Sequence, residues 1–407
     1  MGGNLRRLVR GSVLEPAPTQ SQRGRSGPSR GHGLQIPRRK QVNLKRNGAL
    51  MSAVAISAML LTACGSDANV ATTDGASDSS ATCEGKSPLT GEGSSAQQNA
   101  MSNFTSIYSG VCAGKAVEYT TSGSGNGRTQ FVAGLVDFAG SDSAIKDEQA
   151  VEAATRCDSN PAWNLPLVFG PVAVAYNLDG VDNIALNPDV IARMFTGQIT
   201  TWNDPAIAAL NEGVDLPSTP VTPVYRSDSS GTSDNFQRFL AASAPEAWTL
   251  NHSSDWAGGV GEGANGSSGV AQAVAATPGS VTYVEKGFAD QESLGTAAVD
   301  FGNGPVELTT ESAAAAIDAA TFSGEGNDLV IDIDALYASN EAETYPLVLA
   351  TYEIVCSAGY DPETSAAVKS FLLSAANEGQ QGLEEAGYVP LPESFKERLT
   401  TAIEAIA

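Results

Sequence analysis

The run LPLVFGPVAVAY, residues 165–176, holds twelve residues and not one charge. A strand with no polar face must be covered on both sides, as in a sheet flanked by helices. Residues 345–355 form a second long apolar strand. Around these two, short strands (116–120, 138–140, 221–225, 281–284) alternate with helical patterns at 95–108, 129–136, 188–195, 205–211, 311–320, 363–377 and 392–406. Such alternation predicts an α/β fold with mostly parallel sheets. The two long strands are the expected segments crossing between two lobes. At 407 residues the chain is long enough for two or three domains with real cores.

Charge is divided unevenly along the chain. Residues 1–50 carry eleven Lys and Arg against one acid, Glu15. From Cys64 onward there are 12 basic and 45 acidic residues, a net charge of −33. A body this acidic is a poor partner for nucleic acid and is no basic binder of membrane surfaces. His32 lies in the basic leader and His252 is the one histidine of the body. A multi-histidine metal site is therefore excluded, and a histidine-dependent catalytic triad has little to draw on. No metal and no cofactor are expected.

The leader has its own logic. A short basic stretch, Leu44-Lys45-Arg46-Asn47-Gly48, precedes fifteen uncharged residues, 49–63. That is too short to span a membrane comfortably and suits the apolar region of a signal peptide. It ends Leu61-Thr62-Ala63-Cys64-Gly65, which resembles a bacterial lipobox, where the cysteine takes a diacylglyceryl thioether. Residues 42–63 are thus expected to be a lipoprotein signal peptide, with Cys64 lipidated at the outer face of the cell membrane. Residues 1–41, rich in Arg, Gly, Pro and Ser, are expected to be unstructured, with translation starting nearer Val42 or Met51. Residues 64–83 read as a flexible tether, because 66–82 are small and polar with nothing to bury.

The body has four cysteines, Cys83, Cys112, Cys157 and Cys356. An even number in an exported chain predicts two disulfides. Three pairings are possible. Cys83 and Cys112 bracket the first strand and helix of the body, which favours that pair and leaves Cys157 with Cys356.

Three Ser/Gly clusters stand where a strand hands over to a helix: 89–95 (LTGEGSS), 122–127 (SGSGNG) and 226–233 (RSDSSGTS). Helix N-termini present unpaired backbone N–H groups and the positive end of the helix dipole. Glycine lets the backbone approach a ligand and hydroxyls add donors, so such clusters can cradle an anion without net positive charge. None ends in the Gly-Lys-Ser/Thr of a phosphate-binding nucleotide loop, and none is a nucleophile elbow with a histidine partner. The glycine-rich 258–269 has no strand leading into it and no lysine after it, and reads as a surface loop or hinge-adjacent turn. Trp202-Asn203-Asp204-Pro205 reads as a helix start, with Asp204 as cap and Pro205 at the first helical position.

These clusters occur in order with Val136-Asp137-Phe138-Ala139-Gly140-Ser141-Asp142, with residues 197–205 (GQITTWNDP) and with 278–285 (PGSVTYVE). In that arrangement residues 84–407 resemble the substrate-binding lipoproteins of the bacterial phosphate-specific ABC transporter, the PstS family of class II periplasmic binding proteins. The resemblance implies a two-lobed periplasmic-binding-protein-like fold, each lobe a mostly parallel sheet flanked by helices, with the ligand in the interlobe cleft. Lobe I would comprise 84–168 plus 346–407, and lobe II 169–345. It further implies extracytoplasmic capture of inorganic phosphate by hinge closure and delivery to the membrane permease subunits, by a monomer that is not an enzyme.

Site roles follow from the same resemblance. Ser95 and the backbone N–H of Ala96 would donate from the first loop, and Ser124 from the second. Arg226 would be the one cation on the anion, with Asp228 holding its guanidinium flat. Ser230, Gly231 and Thr232 would supply the helix N-terminus of the second lobe. Asp142 would set selectivity. Ala96 stands where the family usually has an aromatic residue, and Asn126 where it has a small one.

A carboxylate lining an anion site makes sense if the ligand brings a proton. Phosphate near neutral pH keeps at least one P–OH, which can donate to Asp142. Sulfate has none, and would set lone pair against lone pair. Sites that hydrogen-bond a ligand group reject analogues lacking it by about 10⁴–10⁵, because the buried partner is left unpaired. Two rival functions are weaker. An exported phosphatase on the same scaffold would need a metal cluster or an activated nucleophile. An adhesin or signalling lipoprotein would have no use for Arg226, Asp228 and Asp142 together.

Overall fold

The computed structural model describes residues 80–407; the expected signal peptide, Cys64 and most of the expected tether lie outside those residues. In chain order the strands are β1 (Leu89–Gly93), β2 (Val117–Thr121), β3 (Phe138–Ser141), β4 (Ala162–Tyr176), β5 (Ala185–Leu186), β6 (Thr222–Arg226), β7 (Glu262–Ala264), β8 (Ser280–Glu285), β9 (Gly295–Thr296), β10 (Ala298–Asp300), β11 (Pro305–Val306) and β12 (Val348–Cys356). β4 is the apolar strand of the sequence, and all but its first two residues are buried. β12 is buried along its whole length.

The long strand β4 joins the two halves of the principal sheet, while β12 lies between β3 and β4. The principal sheet runs β2-β1-β3-β12-β4-β8-β6-β7, with β9 also against β4. From Ala162 to Pro171, β4 pairs antiparallel with β12. From Val172 to Tyr176 it pairs antiparallel with β8. β1 is parallel to β2 and β3, and β6 is parallel to β7 and β8. Antiparallel pairing therefore falls where the chain crosses out along β4 and returns along β12. A small sheet, β11-β10-β5, stands apart. The result is a curled, mixed sheet in a two-lobed α/β fold. Within each lobe, parallel strands end at the same edge, which is where ligands sit in sheets of this kind.

Local signals set some element bounds and not others. The helix Pro188–Phe195 has the expected bounds, with Asn187 accepting from the Val190 N–H. Asp204 accepts from the Ala206 N–H at 2.9 Å and Pro205 opens the next helix. Trp202 is buried, its indole N–H donating to Gly279 O at 2.8 Å. The helix predicted at 129–136 instead spans Ser124–Val132. Its glycines mark close packing rather than a loop: a Cβ on Gly127 would fall 2.5 Å from Gly93 Cα. The expected loop at 258–269 is also corrected. β7 pairs with β6 and feeds the helix Gly266–Ala276. Glu262-Gly263-Ala264 is too short, and too poor in large apolar residues, to announce itself as a strand.

Cys83 pairs with Cys112 and Cys157 with Cys356, the favoured connectivity. Ser80 is tied down nearby, its N–H donating to Glu378 Oε1 at 2.7 Å and its hydroxyl to Leu373 O at 2.9 Å. The second disulfide joins the end of the helix Asp147–Arg156 to the end of β12 across 199 residues. Cross-linking so distant a pair restricts the unfolded chain. Replacing both Cys157 and Cys356 by Ala is expected to lower the unfolding free energy by about 2–5 kcal/mol, read from urea denaturation. An unchanged midpoint would contradict it.

Candidate anion-binding site

The carboxyl ends of β1, β3, β6, β7 and β8 converge on the seam between the lobes. β3 delivers Asp142, which is 4% exposed. Its Oδ1 accepts from the Ser94 hydroxyl at 2.6 Å and the Thr351 hydroxyl at 2.7 Å; its Oδ2 accepts from Ser124 Oγ at 2.9 Å. Burial pushes its pKa above the ordinary aspartate value, while the three hydroxyls and the charge of Arg226 pull the other way. Asp142 is not a helix cap, since the following helix begins at Asp147 with Lys146 at its N-cap.

β6 ends in Arg226, 2% exposed. Its Nε donates to Asp228 Oδ1 at 2.7 Å and its Nη2 is paired with Asp228 Oδ2. Bidentate pairs of this kind fix the plane of the guanidinium. Burial alone would drain the charge from Arg226, but Asp228 outweighs it and raises the pKa. Burial likewise opposes ionisation of Asp228, and the Arg226 partnership holds it below the ordinary value. Nη1 remains directed at the Ser267 hydroxyl at 3.1 Å and the Thr232 hydroxyl at 3.4 Å.

The helix Gly231–Ser243 points its N-terminus at the same place. Ser230 caps it, accepting from the Ser233 N–H at 3.2 Å. Ser233 Oγ meets the Tyr283 hydroxyl at 2.7 Å, and the Tyr283 ring stacks on Phe236 at 4.4 Å between centroids. This aromatic block sets where the first turn lies. A Cβ on Gly231 would fall 2.5 Å from Ser124 Oγ and 2.6 Å from Asp142 Cβ. Only glycine lets this helix end approach the opposite lobe so closely.

The remaining expected residues are in the same cluster. Ser95 Oγ lies 3.2 Å from Ser267 Oγ and accepts from the Ser267 N–H at 3.1 Å. The Ala96 N–H donates to Ser94 Oγ at 3.0 Å, and Tyr388 donates to Ala96 O at 2.7 Å. Thr232 donates to Glu285 Oε1 at 2.6 Å. Asn126 is exposed and its amide turns to Ser122 O at 2.8 Å, so it neither adds to nor crowds the cluster. The two lobes are closed on one another. The Gly125 N–H donates to Ser229 O at 3.0 Å, Ser143 to Asp234 at 2.6 Å, Asn235 to Asp142 O at 2.7 Å and Arg128 to Ser254 at 3.1 Å.

Ser94, Ser267, Thr351 and Glu285 were not singled out from the sequence. Ser267 sits in the segment read as a loop. Thr351 shares the mostly apolar strand β12 with Glu353, and Glu285 is the one charged residue of β8, which was the available signal. Among the described residues, no group of three or more His, Cys, Asp or Glu side chains is placed to hold a metal.

Residues 65–375 match the family model of the PBP superfamily domain. Phosphate-binding protein PstS 3 of Mycobacterium tuberculosis (strain ATCC 25618 / H37Rv) is 46% identical over 371 residues, 90% of this chain and 100% of that protein. Phosphate-binding protein PstS 2 of the same organism is 44% identical over 367 residues, 89% of this chain and 99% of that protein. Among solved structures, the high-affinity periplasmic phosphate-binding protein PfluDING, bound with phosphate, superposes with a TM-score of 0.63. That match is at 24% identity and covers 77% of this chain and 93% of that one. At that identity the likeness establishes the fold.

Glu353 lies buried in β12, with neither carboxyl oxygen hydrogen-bonded. Burial, helped by the charge of Asp142 and opposed by the Gln97 amide, pushes its pKa up to about 8. The unfolded chain ionises Glu353 in the ordinary carboxylate range, while the folded chain keeps the proton until about 8. This group therefore makes stability fall as pH rises through that window. Glu353→Gln is expected to gain stability relative to wild type between about pH 5 and pH 8, measured by denaturation across pH. Parallel curves would contradict it.

Proposed function

Because the chain belongs to the PstS family of phosphate-binding proteins within the PBP superfamily, we propose that it captures inorganic phosphate outside the cytoplasmic membrane and delivers it to an ABC permease. It is a binding component and not an enzyme. The observation that carries this proposal is the buried apposition of Arg226, the Ser230-capped helix end and the hydroxyl-laden carboxyl of Asp142. Arg226, the Ser95 and Ser124 hydroxyls, and the N–H groups of Ala96, Gly231 and Thr232 are the donors for the anion. Asp142 takes the P–OH. Ser124 turning its hydroxyl onto the anion would free Asp142 Oδ2 for that proton. Asp228 holds Arg226 without touching the ligand.

Since Asp228 offsets the charge of Arg226 and the body is acidic overall, attraction at a distance does not hold the anion. Donors in a closed cleft do, because hydrogen bonds strengthen as water is excluded. Lobe I we assign to 84–168 with 346–407 and lobe II to 169–345, hinged where the chain crosses within β4 and again just ahead of β12. No helix among the described residues is long and apolar enough to cross a membrane. Attachment is assigned to lipid on Cys64, after a signal peptide at 42–63 and through the tether at 64–83. The receptor acts as a monomer.

Calorimetric titration tests this, on protein stripped of bound anion by unfolding and refolding. Phosphate is expected to bind one to one, with sulfate silent. Asp142→Asn is expected to let sulfate bind measurably and to narrow the discrimination, which for a site of this kind is about 10⁴–10⁵. A folded, stripped protein giving no phosphate heat would overturn the proposal. Equal affinity of the wild type for both anions would overturn the role of Asp142.

A further inference from the structure

β8 ends with the Glu285 carboxyl inside the cluster. Glu285 is fully buried. Oε1 accepts from Thr232, but Oε2 has no hydrogen-bond partner. Thr232 is itself within reach of Arg226 Nη1, whose other contact is Ser267. An unpaired buried carboxyl oxygen among anion donors calls for a partner that arrives with the ligand.

We propose that Glu285 is a second proton-bearing contact for the oxyanion: as the neutral acid it donates its O–H from Oε2 to a phosphate oxygen, while the Asp142 carboxylate accepts a hydrogen bond from the P–OH. This deepens the phosphate reading and rests on it. The protons balance with no transfer between partners. Dibasic phosphate brings one, Glu285 keeps one, and Asp142 enters as carboxylate. Asp142 then reads whether the ligand carries a proton. Glu285 limits how much negative charge the wall presents to a dianion.

The groups facing Glu285 favour this protonation. Burial raises its pKa and the charge of Asp142 adds to that, whereas Arg226 and the Thr232 and Ser267 hydroxyls oppose. The phenol of Tyr388 is also near, itself held neutral by burial. Asp228, behind Arg226, offsets part of the cation's pull. On β4, the neighbours Gly170 and Val172 bring no charge.

Phosphate affinity measured from neutral to alkaline pH tests the proposal. Dibasic phosphate dominates throughout the alkaline range, so the ligand's own titration adds no slope there. Wild-type affinity is expected to fall about tenfold per pH unit once Glu285 ionises, each unit of pH above a linked pKa being a factor of ten. Glu285→Gln keeps an N–H donor and a neutral wall. It is expected to bind within a few-fold of wild type at neutral pH and to lose the alkaline fall. Glu353→Gln, the control for the other buried carboxyl, is expected to keep the fall. Glu285→Ala, shown folded by circular dichroism, is expected to lose at least about tenfold at neutral pH. A flat wild-type profile, a Glu285→Gln profile parallel to wild type, or wild-type affinity in Glu285→Ala would overturn this proposal alone. Absence of phosphate binding by wild type at every pH would overturn the receptor reading and this with it.

Discussion

A carboxylate taken out of water must find other donors or give up its charge. Asp142 finds three hydroxyls on three separate parts of the chain: Ser94 after β1, Ser124 at a helix start and Thr351 within β12. Those bonds tie the loops after β1 and before the second helix to the buried strand β12. The Asp142 main chain also takes the Asn235 amide from the helix of the other lobe. The site and the closed arrangement of the lobes therefore meet at one residue. Gly231 makes that meeting possible, because any side chain there would collide with Ser124 and Asp142.

Charge is handled locally throughout the cleft. Arg226 is buried but paired with Asp228, and Asp228 Oδ1 also accepts from the Gly266 N–H at 3.0 Å. The cation is thus fixed by the helix that starts at Gly266 as well as by its own strand. Asp142, Glu285 and Glu353 are all shifted toward the neutral acid by burial. Inside a net charge of −33 from Cys64 onward, a pocket of directed N–H and O–H groups can still favour an anion, because short-range donors outweigh a screened distant field.

Much of this was legible in the residues. The uncharged run at 165–176 announced a doubly covered strand and, with 345–355, the crossing between lobes. Asn187-Pro188 and Asp204-Pro205 announced helix starts through their caps. What stayed hidden was set by packing across the chain. Gly125 and Gly127 lie inside a helix because Ser229 and β1, respectively, leave no room for a side chain, so local propensity pointed the wrong way. β7 is three residues at a sheet edge, below what periodicity can detect. Ser267 and Glu285 belong to the site only through the ordering of β6, β7 and β8, a pairing that no local pattern encodes.

A crystal structure of the phosphate-loaded protein tests the central claim most directly. The account predicts one tetrahedral anion at the seam, with an oxygen within hydrogen-bond distance of an Asp142 carboxyl oxygen and others on Arg226, Ser95 and the Gly231–Thr232 backbone. Phosphate bound elsewhere, or bound there with Asp142 still held only by Ser94, Ser124 and Thr351, would contradict it.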